Sequence, residues 1–273
     1  MALSRHYTSF ISQVFGKFAS KEFPPAIQKV INSAYVKLMG LDMSEFNTPD
    51  SYKSLNALFT RALNVDREFD RDESTIIAGV DALITEYGIV KETTSYQIKG
   101  MSYKVDELLG EYHKDIVGDL EGGEFVNYYL SPKDYHRYHS PMRLQIISAT
   151  HIVGKLYPVN FPLLRNKQNL FIENERVVIE CRDVKGRVHI LVLVGALNVG
   201  KMLVTFEPNI ETNSDTDSSK HYTYSDLWLE KGEMFGYFMM GSTILTFSQK
   251  DSTTHQVSIN QKSHYGMSVG KLL

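Results

Sequence analysis

The residues of this chain best suited to chemistry are Gly241-Ser242-Thr243, set between the apolar runs Tyr237–Met240 and Ile244–Phe247. Those runs are rich in aromatic and branched residues, which favour strands. Gly241 can adopt backbone angles closed to other residues, so the chain can turn sharply there. Ser242 holds a hydroxyl within reach of the preceding carbonyl, as an intramolecular N-to-O acyl shift requires. That shift would turn the Gly241–Ser242 amide into an ester. Loss of the serine α-proton would expel the ester and leave dehydroalanine, whose hydrolysis releases ammonia and leaves a pyruvoyl group at a new N-terminus. A plain hairpin turn also accounts for Gly-Ser-Thr taken alone.

A second candidate is the stretch Asn127–Pro141, which holds His136, His139, Asp134 and two prolines. Histidine is the usual general base near neutral pH. Surface histidines among tyrosines, or half of a metal site, would give the same pattern. The single cysteine, Cys181, excludes a multi-cysteine metal site, and no second cluster of matching spacing is present, so no metal is expected. Asp81 stands between apolar residues in Ala78-Gly79-Val80-Asp81-Ala82. A buried aspartate needs a partner, and a histidine is a natural one, although a turn aspartate fits as well. Gly266-Met267-Ser268-Val269-Gly270 matches a hydrolase nucleophile elbow, but only Lys271, Leu272 and Leu273 follow, with no room for the helix and histidine that motif needs.

These residues must be positioned by the rest of a chain of 273 residues, 42% hydrophobic and 22% charged, enough for a substantial core. A net charge of −3 argues against a dedicated nucleic-acid binder. No apolar run reaches the ~18 residues of a membrane span. His6, Ser9, Ser12 and Gln13 interrupt any signal-type core, so a cytoplasmic protein with at most peripheral membrane contact is expected. Tyr7, Phe10, Ile11, Val14, Phe15 and Phe18 recur at helical spacing; after Pro24-Pro25, so do Ile27, Val30, Ile31, Ala34, Tyr35 and Leu38. Through residue 40, Arg5, Lys17, Lys21, Lys29 and Lys37 face Glu22 alone, a net +4. A basic amphipathic pair suits an anionic bilayer surface; helices packed on their own domain would look the same.

A third helix is predicted over Ser51–Ala62 with Asp50 as N-cap, followed by the charged connector Arg67–Asp72. Strands are then predicted at Ile76–Val80, Ala82–Tyr87, Tyr96–Ile98, Phe125–Leu130, Leu144–His151, Val177–Cys181, Val188–Val194 and Met202–Phe206, with further short ones over Ser258–Leu273. Val105–Leu109 reads as a short helix and Glu211–Ser219 as a mobile surface loop. The expected fold is α+β: amphipathic helices in a membrane-associating region 1–65, then a mostly antiparallel, barrel- or sandwich-like catalytic body over 66–273.

Leu130–Pro141, Lys231–Phe238 and Gly241-Ser242-Thr243 together resemble the bacterial phosphatidylserine decarboxylases, which are pyruvoyl enzymes. Ser54–Arg61, Gln97–Gly100, Tyr157–Asn160 and Asn169–Arg176 add weaker support in the family's order. Two positions depart: Met240 stands where the family usually has leucine, and Ala82 where it usually has glycine after the aspartate. The resemblance implies an Asp81–His139–Ser242 triad for self-cleavage, with His139 taking the Ser242 proton and Asp81 fixing its tautomer. It implies a long chain 1–241, a short chain 242–273 and a covalent pyruvoyl cofactor made from Ser242. That ketone would form a Schiff base with phosphatidylserine and give phosphatidylethanolamine after carbon dioxide leaves. His136 is the candidate proton donor or carboxylate contact in that second reaction. The N-terminal helices would then dock the enzyme on the cytoplasmic side of the cell membrane, with a homodimer left open. A pyruvoyl decarboxylase of a soluble amino acid would keep the cleavage without the lipid, and a non-catalytic membrane-associated β domain would keep one intact chain.

Overall fold

Residues 188–194 are buried along their whole length, and a strand covered on both faces must lie inside a sheet. The computed structural model describes residues 16–91, 95–98, 101–157, 170–196, 201–214, 218–239 and 242–273. Its labelled helices are α1 (Pro25–Met39), α2 (Leu55–Phe59), α3 (Val105–Leu109) and α4 (Leu170–Glu173). The strands of its first half are β1 (Thr75–Ile77), β2 (Ala82–Ile89), β3 (Ser95–Ile98), β4 (Met101–Lys104), β5 (Glu124–Tyr129), β6 (Arg137–His139) and β7 (Leu144–Ile152). Those of the second are β8 (Arg176–Arg182), β9 (Val188–Val194), β10 (Met202–Val204), β11 (Lys220–Leu229), β12 (Met234–Phe238), β13 (Thr243–Ser248), β14 (Thr253–His255), β15 (Lys262–Ser263) and β16 (Ser268–Leu272).

The largest sheet has the order β11-β7-β8-β9-β13-β5-β2-β15 and is antiparallel throughout. Two three-stranded sheets, β1-β16-β14 and β10-β12-β6, and the β3-β4 pair accompany it. Ile76 and Val269 from the first small sheet, and Tyr138, Phe235 and Phe238 from the second, join Val192 and Leu245 of the large sheet in one buried apolar cluster. The chain is therefore α+β with mostly antiparallel strands, as the pattern of short strands implies.

The closed barrel does not form. Among the described residues β11 pairs only with β7 and β15 only with β2, so the large sheet keeps two edges. Both edges tolerate water, because β15 has two residues and β11 exposes Thr223, Ser225 and Asp226. β9 and α3 have the predicted bounds, whereas no strand is predicted over Lys220–Leu229 or Arg137–His139. The helix expected over Ser51–Ala62 shrinks to α2. Pro49–Ser51 forms its own 3-10 turn, and the cap is Ser54, whose hydroxyl accepts from Ala57 N–H (3.1 Å), in place of Asp50. Ala82 opens β2 without a positive φ, so the family's usual glycine is not needed there.

Tyr7, Phe10, Ile11, Val14 and Phe15 of the first periodic run lie outside the described residues, as do Met240, Gly241, residues 158–169 and positions 215–217 of the polar loop. Residues 16–20 are helical. On α1 the polar Gln28 and Asn32 are buried, Asn32 donating to the carbonyls of Pro49 (2.8 Å) and Tyr52 (2.9 Å). Ile31, Tyr35 and Val36 pack against Leu55 and Leu58, whereas Ile27, Val30 and Leu38 are 51%, 67% and 83% exposed. Among the described residues no helix is long and apolar enough to cross a membrane.

β1 stops at Ile77 because the next turn presses on β6. The His139 N–H donates to Gly79 O (2.9 Å), and a Cβ at Gly79 would lie 2.3 Å from the His139 carbonyl oxygen. Gly79→Ala should therefore cost about 1–3 kcal/mol through the forced displacement, read from denaturant unfolding.

Candidate active site

His139 ends β6, which is held by β12 and by the Gly79 contact. Its Nδ1 faces the Gly232 carbonyl at 2.8 Å. A carbonyl only accepts, so Nδ1 carries the proton and Nε2 holds the lone pair. The Tyr135 hydroxyl lies on that lone pair at 3.0 Å. The Tyr265 ring stacks on the imidazole, with centroids 3.6 Å apart, and its hydroxyl donates to the same Gly232 oxygen (3.1 Å). Burial is the main cause that lowers the His139 pKa to about 4, so the ring is neutral at neutral pH.

Asp81 precedes β2 and is buried. Its carboxylate accepts from Arg67 Nη1 (2.5 Å) and Nη2 (3.0 Å), and from the Tyr265 backbone N–H (2.8 Å). Arg67 also grips Glu45, at 2.9 and 2.7 Å. Asp81 thus fixes Tyr265, the ring on which His139 lies. The tautomer of His139, expected to be set by Asp81, is set here by Gly232.

Ser242 leads into β13 and is fully buried. Its hydroxyl donates to the Val194 carbonyl, and its own carbonyl accepts from Leu130 N–H at 2.8 Å. The next residue, Thr243, pairs with Tyr129 of β5 and Val194 of β9. Gly241, the other half of the expected scissile bond, lies outside the described residues. Among those described, no hydrogen bond joins Asp81, His139 and Ser242 to one another. Ser242 meets the histidine-bearing segment through Leu130.

The chemistry of a pyruvoyl group fits residue 242. The Ser242 carbonyl would survive as the amide carbonyl of that group, still held by Leu130 N–H, and the new chain end would stay pinned between β5 and β9. Those are central strands of the large sheet, so cleavage before residue 242 leaves the short chain in place.

His136 is fully buried, with Nδ1 donating to the Asp134 carbonyl (2.7 Å) and the Phe59 ring centred 4.0 Å from its own. Nε2 therefore holds a lone pair, and it has no partner among the described residues. Burial, with help from the charge of Arg61, lowers the His136 pKa to about 3. A neutral ring with a free lone pair can take a proton and return it. Sequence reasoning missed Arg67, Tyr135, Gly232 and Tyr265 as parts of the site. Tyr135 and Gly232 lie inside the quoted motifs and Arg67 inside the charged connector, but nothing in the sequence around Tyr265 signals its contact with His139.

The phosphatidylserine decarboxylase family pattern matches residues 55–271. The phosphatidylserine decarboxylase proenzyme of Helicobacter pylori strain Shi470 is 46% identical over 264 residues, 96% of each chain. That of Campylobacter jejuni is 45% identical over 261 residues, 93% of this chain and 96% of its own. That of Marinobacter nauticus is 34% identical over 269 residues, 96% of this chain and 93% of its own. The chain belongs to the phosphatidylserine decarboxylase family.

The two histidines make stability depend on acid. Their folded pKa values, about 3 and about 4, lie below the ordinary 6.5, so the unfolded chain binds more protons as pH falls below that value. Their contribution is fully present above about pH 6.5 and is lost as pH falls through the folded values. Thermal melts between pH 7.5 and 4 should show a falling midpoint, with a shallower slope in His136→Asn.

Proposed function

We propose that this chain is a proenzyme that cuts itself between Gly241 and Ser242 and then decarboxylates phosphatidylserine to phosphatidylethanolamine. Family membership over nearly the full length supports the substrate and the reaction. The observation that carries the self-processing is the position of Ser242: fully buried, with its carbonyl held by Leu130 N–H, at the end of the central strand β13.

In the cleavage, Ser242 Oγ attacks the Gly241 carbonyl carbon and His139 takes the hydroxyl proton. Its Nε2 is unprotonated at neutral pH, the state a general base needs. Tyr135 lies on the lone pair of that nitrogen, so its hydroxyl must pass the Ser242 proton on or move aside. Asp81 acts from behind as the anchor of Tyr265, and Arg67 holds the Asp81 carboxylate in place. A pyruvoyl group made from Ser242 would supply the second reaction with a ketone as partner for the substrate amine and as electron sink. His136 Nε2 takes up a proton from water and gives it to the carbon that carbon dioxide has left, with the Phe59 ring packed against the imidazole.

The exposed Ile27, Val30 and Leu38 on α1, together with Lys29 and Lys37, support docking of region 1–65 on the anionic cytoplasmic face of the membrane, with 66–273 as the catalytic body. Replacing Ile27, Val30 and Leu38 together by serine should release the protein from phosphatidylserine vesicles in a flotation assay and leave self-cleavage intact.

Release of labelled carbon dioxide from carboxyl-labelled phosphatidylserine tests the reaction, with free serine as the control substrate. The lipid should be consumed and serine should not. His136→Ala should still yield two chains while decarboxylation falls by about 100-fold or more. His139→Ala should remain one chain.

A further inference from the structure

Several buried polar side-chain atoms of Arg61 and residues near it have no side-chain partner among the described residues. Arg61 follows α2 and is 2% exposed. Its Nη2 donates to the carbonyls of Lys133 (3.0 Å) and Asp134 (3.4 Å), and its guanidinium carbon lies 4.3 Å from the centre of the Phe46 ring. Its Nε and Nη1 have no acceptor among the described residues. His136 donates to the same Asp134 oxygen, so the guanidinium and the imidazole flank one carbonyl. Tyr35 of α1 and Tyr52 pack in one apolar cluster, and their buried hydroxyls meet no side-chain partner among the described residues. Burial raises the pKa of both, that of Tyr35 to about 12, while the nearby Arg61 charge pulls each back.

The acids near Arg61 are engaged elsewhere. The Asp134 carboxylate accepts from Ser131 N–H (2.6 Å) and Ser131 Oγ (2.7 Å), and Asp81 is held by Arg67. A buried cation with two donors that meet no acceptor among the described residues, and whose charge reaches two buried tyrosine hydroxyls, can take an anion.

We propose that Arg61, with the hydroxyls of Tyr35 and Tyr52, forms a phosphodiester subsite whose occupant is the headgroup phosphate of the lipid substrate. The inference rests on the lipid decarboxylase reading above. Two arguments select the phosphate over the substrate carboxylate. A guanidinium on the carboxylate would stabilise the ground state that decarboxylation must leave, whereas the phosphodiester stays anionic throughout, so its binding energy can position the reacting end. In addition, Tyr35 also lines a groove of about 720 Å³ together with Ile31, Ala34, Lys37, Leu38 and Leu55. It would take an acyl chain of the same lipid molecule.

The test uses dihexanoyl phosphatidylglycerol, an anionic phosphodiester with neither amine nor carboxylate. Calorimetric titration of the full chain should show binding that weakens about tenfold in Arg61→Gln and severalfold in Tyr52→Phe. Tyr52→Phe removes one oxygen and guards against a folding defect in the arginine variant, with self-cleavage reporting intact folding in both. Decarboxylation by Arg61→Gln should show a raised KM for phosphatidylserine in micelles with kcat much less affected. Equal affinities in wild type and both variants would overturn the subsite, as would an unchanged KM. Inorganic phosphate binding as tightly as the lipid would overturn its assignment to a lipid headgroup. Loss of phosphatidylglycerol binding in the variants of a protein that decarboxylates nothing would uphold the subsite and refute the proposed reaction.

Discussion

The site depends on the Gly232 carbonyl oxygen, which accepts from both His139 Nδ1 and the Tyr265 hydroxyl. That single acceptor decides which nitrogen of His139 keeps its lone pair. It also closes the stack of Tyr265 on the imidazole. Gly232 itself has φ +82°, a conformation side chains rarely adopt, and a Cβ there would press into the Phe69 ring at 2.3 Å. Glycine here is what allows the carbonyl to point at the histidine.

Around this acceptor the charged groups have separate tasks. Asp81 and Arg67 form an anchored pair that is partly open to solvent and extends to Glu45, so the fold spends a strong ion pair on holding Tyr265. His136 lies on the other side of the same loop, against Phe59 and the Asp134 carbonyl. Two neutral histidines, each with Nδ1 bound to a backbone carbonyl, give two bases with distinct surroundings. One is backed by Tyr135 and Tyr265 and the other by Phe59, which matches a protein with two reactions to run in sequence.

Much of this was legible in the chain itself. Val188–Val194 has only one polar residue, His189, and such a run can only be a core strand; the bounds of β9 follow from it. Leu130–Pro141 and Gly241-Ser242-Thr243 identify the family because their residue types are tied to chemistry. The edge strand β11 escapes notice although Tyr222 and Tyr224 alternate with Thr223 and Ser225, because Ser225-Asp226 breaks the alternation where the pairing with β7 shifts register. The α2 cap was misplaced because Pro49 and Asp50 signal a helix start as strongly as Ser54 does, and only packing decides between them. The Arg67–Asp81 pair and the Tyr265 stack join residues far apart in sequence, which local pattern cannot report.

The central claim is that Ser242 becomes the blocked end of a second chain. Intact mass under denaturing conditions tests it most directly, for wild type beside Ser242→Ala. Two wild-type chains divided between 241 and 242 are expected, the shorter one lighter by one ammonia than a peptide beginning with serine would be once water has replaced the imine, and one undivided chain in the variant. A single 31.1 kDa chain in both, unchanged after incubation with phosphatidylserine vesicles, would contradict it.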